Sequence, residues 1–283
     1  MRSTNPVIEG ALVAKELRGA REASGLTQVQ VSERLNISRD RIIKIESGNV
    51  LPTEDEAAEM LRLYDQTDEL GMEHLIRRLE AARGRGWDEF ADVLSAPYRR
   101  YLSWEQRSSF MRQFHVSLMP GLLQTPAYMR EIFIRVSEVT GTKARRLTKA
   151  RMDRQKIFES DPRPRFHFVI DEAVIRRPAG PAIVMREQLE HLVAMNQQPE
   201  VTIGILPFEV GLHPGLLGAF NLLEFEEDIF DPILYRESPN TRLDREDPGA
   251  YEEHRLLFDE LAGMSLQGEA FENKIHEFLQ DYR

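Results

Sequence analysis

The chain has 283 residues, 41% of them hydrophobic and 30% charged, with a formal net charge of −10 at pH 7. That length suits two domains, and no apolar run is long enough to cross a bilayer. The lack of cysteine excludes disulfides and thiolate metal sites, and MRSTNPVIEG lacks the apolar stretch of a signal peptide, so a cytoplasmic protein without a cofactor is expected.

Residues 1–10 read as a mobile arm, followed by a helix from about Ala11 to Ala23 with Gly25 as its stop. The next stretch, LTQVQVSERLNISRDRIIKIESGN from Leu26 to Asn49, reads as two short helices around a tight turn. Thr27 and Gln30 suit a capping box, Val31 and Leu35 make one apolar face, and Asn36-Ile37 turns the chain. Ser38 caps the following helix, Ile42 and Ile45 face inward, and Gly48 supplies the left-handed residue that ends it. Arg39, Asp40, Arg41 and Lys44 are left facing outward. That surface is short, mostly cationic and hydrogen-bonding, as a helix entering a DNA major groove needs to be. Pro52 then breaks the chain, and Thr53 with Glu56 suits a second capping box for a helix ending near Tyr64.

These residues, with LRGAREASGLTQ before the turn and IESGN followed by LPTEDEAAEMLRLY after it, resemble the Xre (lambda-repressor-like) helix-turn-helix family over about Leu12 to Tyr64. The resemblance implies an all-α five-helix DNA-binding domain over residues 1–67. It also implies that Gln28 binds a phosphate, that Arg39, Asp40 and Lys44 touch base edges, and that Arg21 pairs with Glu46. Ser38 and Arg41 complete the expected DNA-binding set. Asp40 departs from the family pattern, since a carboxylate can accept from cytosine N4 but repels phosphate. The acidic whole is no obstacle, because screening acts over about 10 Å. Arg34, Arg39, Arg41 and Lys44 cluster locally, while acid gathers in EFEEDIFD and from Glu246 to Glu260. An acidic body with a basic tip predicts modest non-specific binding to double-stranded DNA and specificity gained by homodimerisation.

Asp68 starts a longer helix with Leu70, Leu75, Ile76 and Leu79 as its stripe, read as part of a helical connector over 68–100 and as a dimer seam; RGRGW marks its end. Ser103 to Gln106 suits a capping box for a helix running to about Gln113. Thr125 caps a helix that begins with Pro126, and the strongly basic helix from about Thr142 to Phe158 reads as a solvated face. Strand candidates follow at Arg165–Asp171, Val201–Phe208, Ala219–Phe225 and Pro232–Glu237, with a helix from about Ala182 to Asn196 between the first two. Helices over Tyr251–Ala262 and Glu269–Tyr282 close the chain. The fold class is α+β: after the helical head comes a larger mixed domain, 101–283, with a small mainly antiparallel sheet flanked by helices.

PGLLQTPAYMR, RMDRQ, FVIDEAVIRR, MREQLEHL, VTIGILPFEVGLHPG and AFNLLEF, in that order, resemble the C-terminal domain of an antitoxin-like regulator family of high-GC Gram-positive bacteria. The resemblance implies an Xre-type head and a small cognate partner protein encoded alongside. No phosphate-cradling glycine loop, Rossmann fingerprint or G-x-S-x-G elbow is present, and the seven histidines are too scattered for a preformed metal site, so an enzyme is not expected. Asp171, Glu172, Arg176 and Arg177 after the first strand, His213 in GLHPG and Glu237 after the last are candidate ligand- or partner-binding residues, because strand ends can converge on one mouth. Asp171 and Glu172 equally suit a helix cap. The chain is expected to be a sequence-specific transcriptional regulator whose C-terminal domain senses a partner protein or small ligand. The alternative is an antitoxin-like protein that neutralises a small protein and autoregulates its operon.

Overall fold

The computed structural model describes residues 5–66, 68–84, 86–226, 230–236, 243–244 and 248–282. The chain divides into two compact units, Met1–Glu89 and Phe90–Arg283.

The first unit contains α1 (Pro6–Ala23), α2 (Gln28–Leu35), α3 (Arg39–Glu46), α4 (Glu54–Leu63) and α5 (Glu69–Ala82). α1 begins well before Ala11: Asn5 accepts from the Val7 amide and Pro6 takes the first helical position, where its missing N–H costs nothing. Both expected capping boxes are formed, Thr27 with Gln30 and Thr53 with Glu56. Asn36 takes the left-handed conformation at the turn (φ 53°), as does Gly48 (φ 71°). One core gathers Val13 and Leu17 of α1, Val31 of α2, Ile42 and Ile45 of α3, Met60 and Leu61 of α4, Tyr64, and Leu75 and Leu79 of α5. Each such burial is worth about 1.5–3 kcal/mol, enough in sum to fix helices too short to persist alone. Leu70, expected in the stripe of α5, is instead 74% exposed.

The second unit runs α6 (Ala96–Arg107), β1 (Phe110–His115), α7 (Pro126–Arg135), α8 (Gly141–Gln155), β2 (Arg165–Asp171), α9 (Glu172–Arg176), α10 (Ala182–Asn196), β3 (Val201–Leu206), β4 (Phe220–Glu224), β5 (Ile233–Arg236), β6 (Leu243–Asp244), α11 (Pro248–Met264) and α12 (Glu269–Leu279). Residues 68–100 are shared between the units, with α5 in the first core and α6 in the second unit. The helix expected from Ser103 to Gln113 is replaced. Ser95 caps α6 by accepting from the Tyr98 amide, the helix stops at Arg107, and β1 follows.

The sheet order is β3-β2-β1-β4-β5-β6. The antiparallel pairing expected of sequential strands holds for β4–β5; β1 and β6, not among the expected strands, also pair antiparallel, with β4 and β5. That expectation fails for β2–β3, which are parallel, and β3 and β4 are not neighbours at all, because α10 carries the chain from the end of β2 back to the start of β3, and α7 and α8 do the same for β1 and its parallel neighbour β2. One sheet face, with Phe114, Val169, Leu206, Phe220, Leu222 and Leu234, packs on Tyr251, Phe258 and Leu261 of α11. The opposite face of β1 carries Met111, Gln113 and His115.

Two histidines report on this packing. His115 is held down to about pKa 4 by burial and then by the Arg154 charge. His167, edge-on to Phe258 at 5.0 Å, is held down to about 4 by burial and then by Arg112. A depressed histidine pKa contributes stability above the unfolded value of about 6.5, lost as pH falls towards 4. Between pH 7 and pH 4.5 the urea stability of the second unit is therefore expected to drop by about 1–2 kcal/mol per histidine. His115→Gln and His167→Gln should each flatten that profile, and a pH-independent midpoint in the unaltered chain refutes the assignment.

Candidate nucleic-acid interface and strand-end cluster

α3 is a two-turn rod whose inner face is Ile42 and Ile45, both buried. Ser38 caps it, accepting from the Arg41 amide at 3.3 Å. Arg39 is exposed and has no ion-pair partner among the described residues. Asp40 pairs with Lys44 one turn on, Nζ–Oδ2 2.7 Å, which ties the carboxylate that would repel phosphate to a cation on the same surface. Arg41 turns away from this face: its guanidinium forks Glu56 of α4, Nε–Oε1 2.6 Å and Nη2–Oε2 2.7 Å. That guanidinium draws the Glu56 carboxyl down to about pKa 2. Arg39, Asp40 and Lys44 therefore share the outer surface, while Arg41 braces α3 on α4.

Two exposed apolar residues, one on α3 and one on α2, escape a reading by charge alone. Ile43, one turn after Arg39, is 40% exposed, and Val29 of α2 is 44% exposed. The available signal was that Ile43 falls between the core positions Ile42 and Ile45 and cannot share their face. An exposed apolar side chain here matches the methyl group of thymine.

The second layer is the expected Arg21–Glu46 pair. Glu46 is 6% exposed and is forked by Arg21, Nε–Oε1 2.7 Å and Nη2–Oε2 3.1 Å. Arg21 Nη1 also donates to the Leu26 carbonyl at 2.9 Å, and Gln28 Nε2 donates to Glu46 Oε2 at 2.8 Å. One carboxylate thus joins α1, the start of α2 and the end of α3. Gln28 sits at that junction, with one amide hydrogen committed to Glu46 and a second left by its chemistry.

In the second unit, four of the six candidate residues, Asp171, Glu172, Arg176 and His213, meet at the carboxyl end of β2, while Arg177 donates to the Ser117 carbonyl at 3.2 Å. Asp171 caps α9, Oδ1 accepting from the Ala173 amide at 2.7 Å, and its Oδ2 lies 3.2 Å from His213 Nε2. Glu172, fully buried, accepts from Arg176 and from the Phe208 amide at 2.9 Å, with Lys274 Nζ at 3.9 Å. Glu237 lies outside the described residues. Asp171 thus caps α9, as the helix-cap reading expects, and Asp171 and Glu172 also join the contacts at the strand end. The cluster anchors the loop from Phe208 to Gly218. His213 points inward, and Gly215 sits so close to the Phe114 ring that a Cβ there would come within 2.6 Å. Leu212 and Leu217 point outward, 94% and 96% exposed. The PGLLQTP turn does the opposite. Leu122 and Leu123 are buried, Gln188 bridges the Thr125 amide and the Leu123 carbonyl, and Gln155 holds three more carbonyls of the turn.

Residues 12–75 match the helix-turn-helix domain model, which supports a DNA-binding regulator of transcription. The chain belongs to the family defined by the domain of unknown function DUF5753, matched over residues 98–276. Comparison with curated proteins and with solved structures found no match. No helix among the described residues is long and apolar enough to cross a membrane.

Proposed function

We propose that the chain is a sequence-specific transcriptional regulator acting as a homodimer, with α3 of each protomer in a major groove and half-sites about 34 Å apart. The observation that carries this reading is the outer surface of α3: exposed Arg39 beside exposed Ile43, on a rod capped by Ser38 and braced by Arg41 and Glu46. Arg39 and Lys44 contact base edges, Asp40 tunes the register through Lys44, and Gln28 with Ser38 faces phosphates at the helix starts. In a gel-shift series on the chain's own promoter, Arg39→Ala or Lys44→Ala is expected to cost about 1–3 kcal/mol at the cognate site, while Gln28→Ala weakens all sites alike. Unchanged affinity in both Arg39→Ala and Lys44→Ala would overturn the reading.

In the same reading the second unit is the controller, shifting DNA affinity by binding a partner or ligand with different affinity in two states. The loop that exposes Leu212 and Leu217 above the Asp171–His213 contact favours a protein partner, since apolar side chains so fully exposed suit an interface. This supports a second reading, an antitoxin-like protein that captures a small cognate protein and uses DNA binding for autoregulation. Co-purification separates the two: a stoichiometric small protein favours the second.

A further inference from the structure

The loop from Phe208 to Gly218 is tied down from below. The Phe208 amide donates to the buried Glu172 carboxylate at 2.9 Å, His213 Nε2 lies 3.2 Å from Asp171 Oδ2, and Gly215 is seated against the Phe114 ring. Gly211 (φ 73°) and Gly218 (φ 148°) bracket the segment in conformations that glycine takes readily and other residues rarely do. A loop fixed in this way cannot collapse its apolar side chains onto the sheet. Leu212 and Leu217 are almost wholly exposed, Leu216 is 47% exposed and Phe208 52%. Together they make an apolar surface on the order of a few hundred Å², the size at which exposed patches mark interaction sites.

The unmatched charge beside this patch has one sign. Glu209, in the loop itself, is exposed. α11 lies against the turn over Pro214–Leu217, and the stripe it turns to solvent is Glu253, Leu256 and Glu260, spaced three and four residues apart. Leu256 is 56% exposed. Glu209, Glu253 and Glu260 have no ion-pair partner among the described residues. The loop carries no Lys or Arg. The arginine of α11, Arg255, is taken up by Glu252 and Asp259. Arg176, whose guanidinium stands over the Phe208 ring, is paired with Glu172. Exposed leucines thus stand beside carboxylates that nothing in the described chain neutralises.

We propose that this surface binds a cationic amphipathic segment of a protein partner. The partner's apolar side chains cover Leu212, Leu217 and Leu256, and its Lys or Arg side chains meet Glu209, Glu253 and Glu260. The inference rests on the reading of the second unit as a partner-binding controller and gives that partner its chemistry. A second copy of the chain does not suit the surface, because a two-fold contact here sets carboxylates against carboxylates.

Calorimetry on the full chain tests this without DNA, with a synthetic amphipathic helical peptide of leucine and lysine as the probe. Peptides of the same pattern built from leucine and glutamate, and from serine and lysine, are the controls. The leucine–lysine peptide is expected to bind roughly tenfold more tightly than either control. Leu212→Ser/Leu217→Ser should weaken it roughly tenfold or more, since two apolar contacts are lost. Glu253→Gln/Glu260→Gln should weaken it roughly threefold or more at low salt. Glu33→Gln/Glu59→Gln, which removes the same charge from exposed positions of α2 and α4, should bind like the unaltered chain. All six positions changed are exposed, and thermal unfolding establishes that the variants remain folded. The assignment fails if the leucine–lysine peptide does not bind, if the leucine variant binds it unchanged, or if the α2 and α4 variant weakens it as much as the α11 variant. It fails also if sedimentation shows a self-association that Leu212→Ser/Leu217→Ser abolishes, which gives the surface to a second copy. Peptide binding that leaves DNA affinity unchanged supports the surface and overturns the controller; a co-purifying partner that ignores the leucine variant does the reverse.

Discussion

Glu105→Ala is expected to lower the stability of the second unit by about 3–5 kcal/mol. Glu105 is 1% exposed and receives both arms of Arg154, itself 6% exposed. Burial opposes the guanidinium charge, but Glu105 outweighs it and holds Arg154 firmly protonated. Removing the carboxylate leaves a cation in a space closed on one side by Gly121, where even a Cβ would come within 2.6 Å of the guanidinium. The Tyr101 hydroxyl loses its acceptor as well. The double variant Glu105→Leu/Arg154→Met should recover at least half of the loss, because it removes both charges together. Urea titration of the second unit's transition measures this. A transition for Glu105→Ala that coincides with that of the unaltered chain would show that the pair does not hold the layers together.

Glu46→Ala should cost the first unit about 2–4 kcal/mol, and its signature is broader than one lost ion pair. Glu46 receives Arg21 from α1 and Gln28 from α2 while standing on α3. Its loss frees three elements from one anchor and leaves the Arg21 guanidinium, with an 11% exposed side chain, without its carboxylate. Because Gln28 and α3 are positioned through this residue, Glu46→Ala should weaken cognate and non-cognate DNA by similar factors. Arg39→Ala, by contrast, should act mainly on the cognate site. A stability loss below about 1 kcal/mol would class the pair with surface ion pairs.

The helical head was largely legible because its signals are local. Thr27 with Gln30 and Thr53 with Glu56 lie three residues apart, and both boxes form. Ile42 and Ile45 lie one turn apart and both are buried. Even Arg21–Glu46, 25 residues apart, could be expected from the family resemblance. Arg41 was not legible as a brace, since only the packing of α3 on α4 brings Glu56 to it. In the second unit the bounds of α10 were anticipated, but β1 was hidden. Its inward positions include Gln113 and His115, so polar residues stand where an alternating pattern needs apolar ones. The cluster around Arg154 could not be read at all: its partners Glu105 and Tyr98 lie 49 and 56 residues away, and Asn221 lies 120 residues from Tyr101.

The strand order also sets a timetable for synthesis. β1 sits in the middle of the sheet and draws its neighbours from far along the chain. Ser109, just before it, donates to the Glu224 carbonyl 115 residues later. Closing such distant pairs is slow relative to docking neighbouring helices, and the sheet cannot be completed until the ribosome has released β4 and β5. The helical head closes on contacts within its first ninety or so residues and emerges first. A nascent chain therefore carries a finished helix-turn-helix unit before it has a finished sheet.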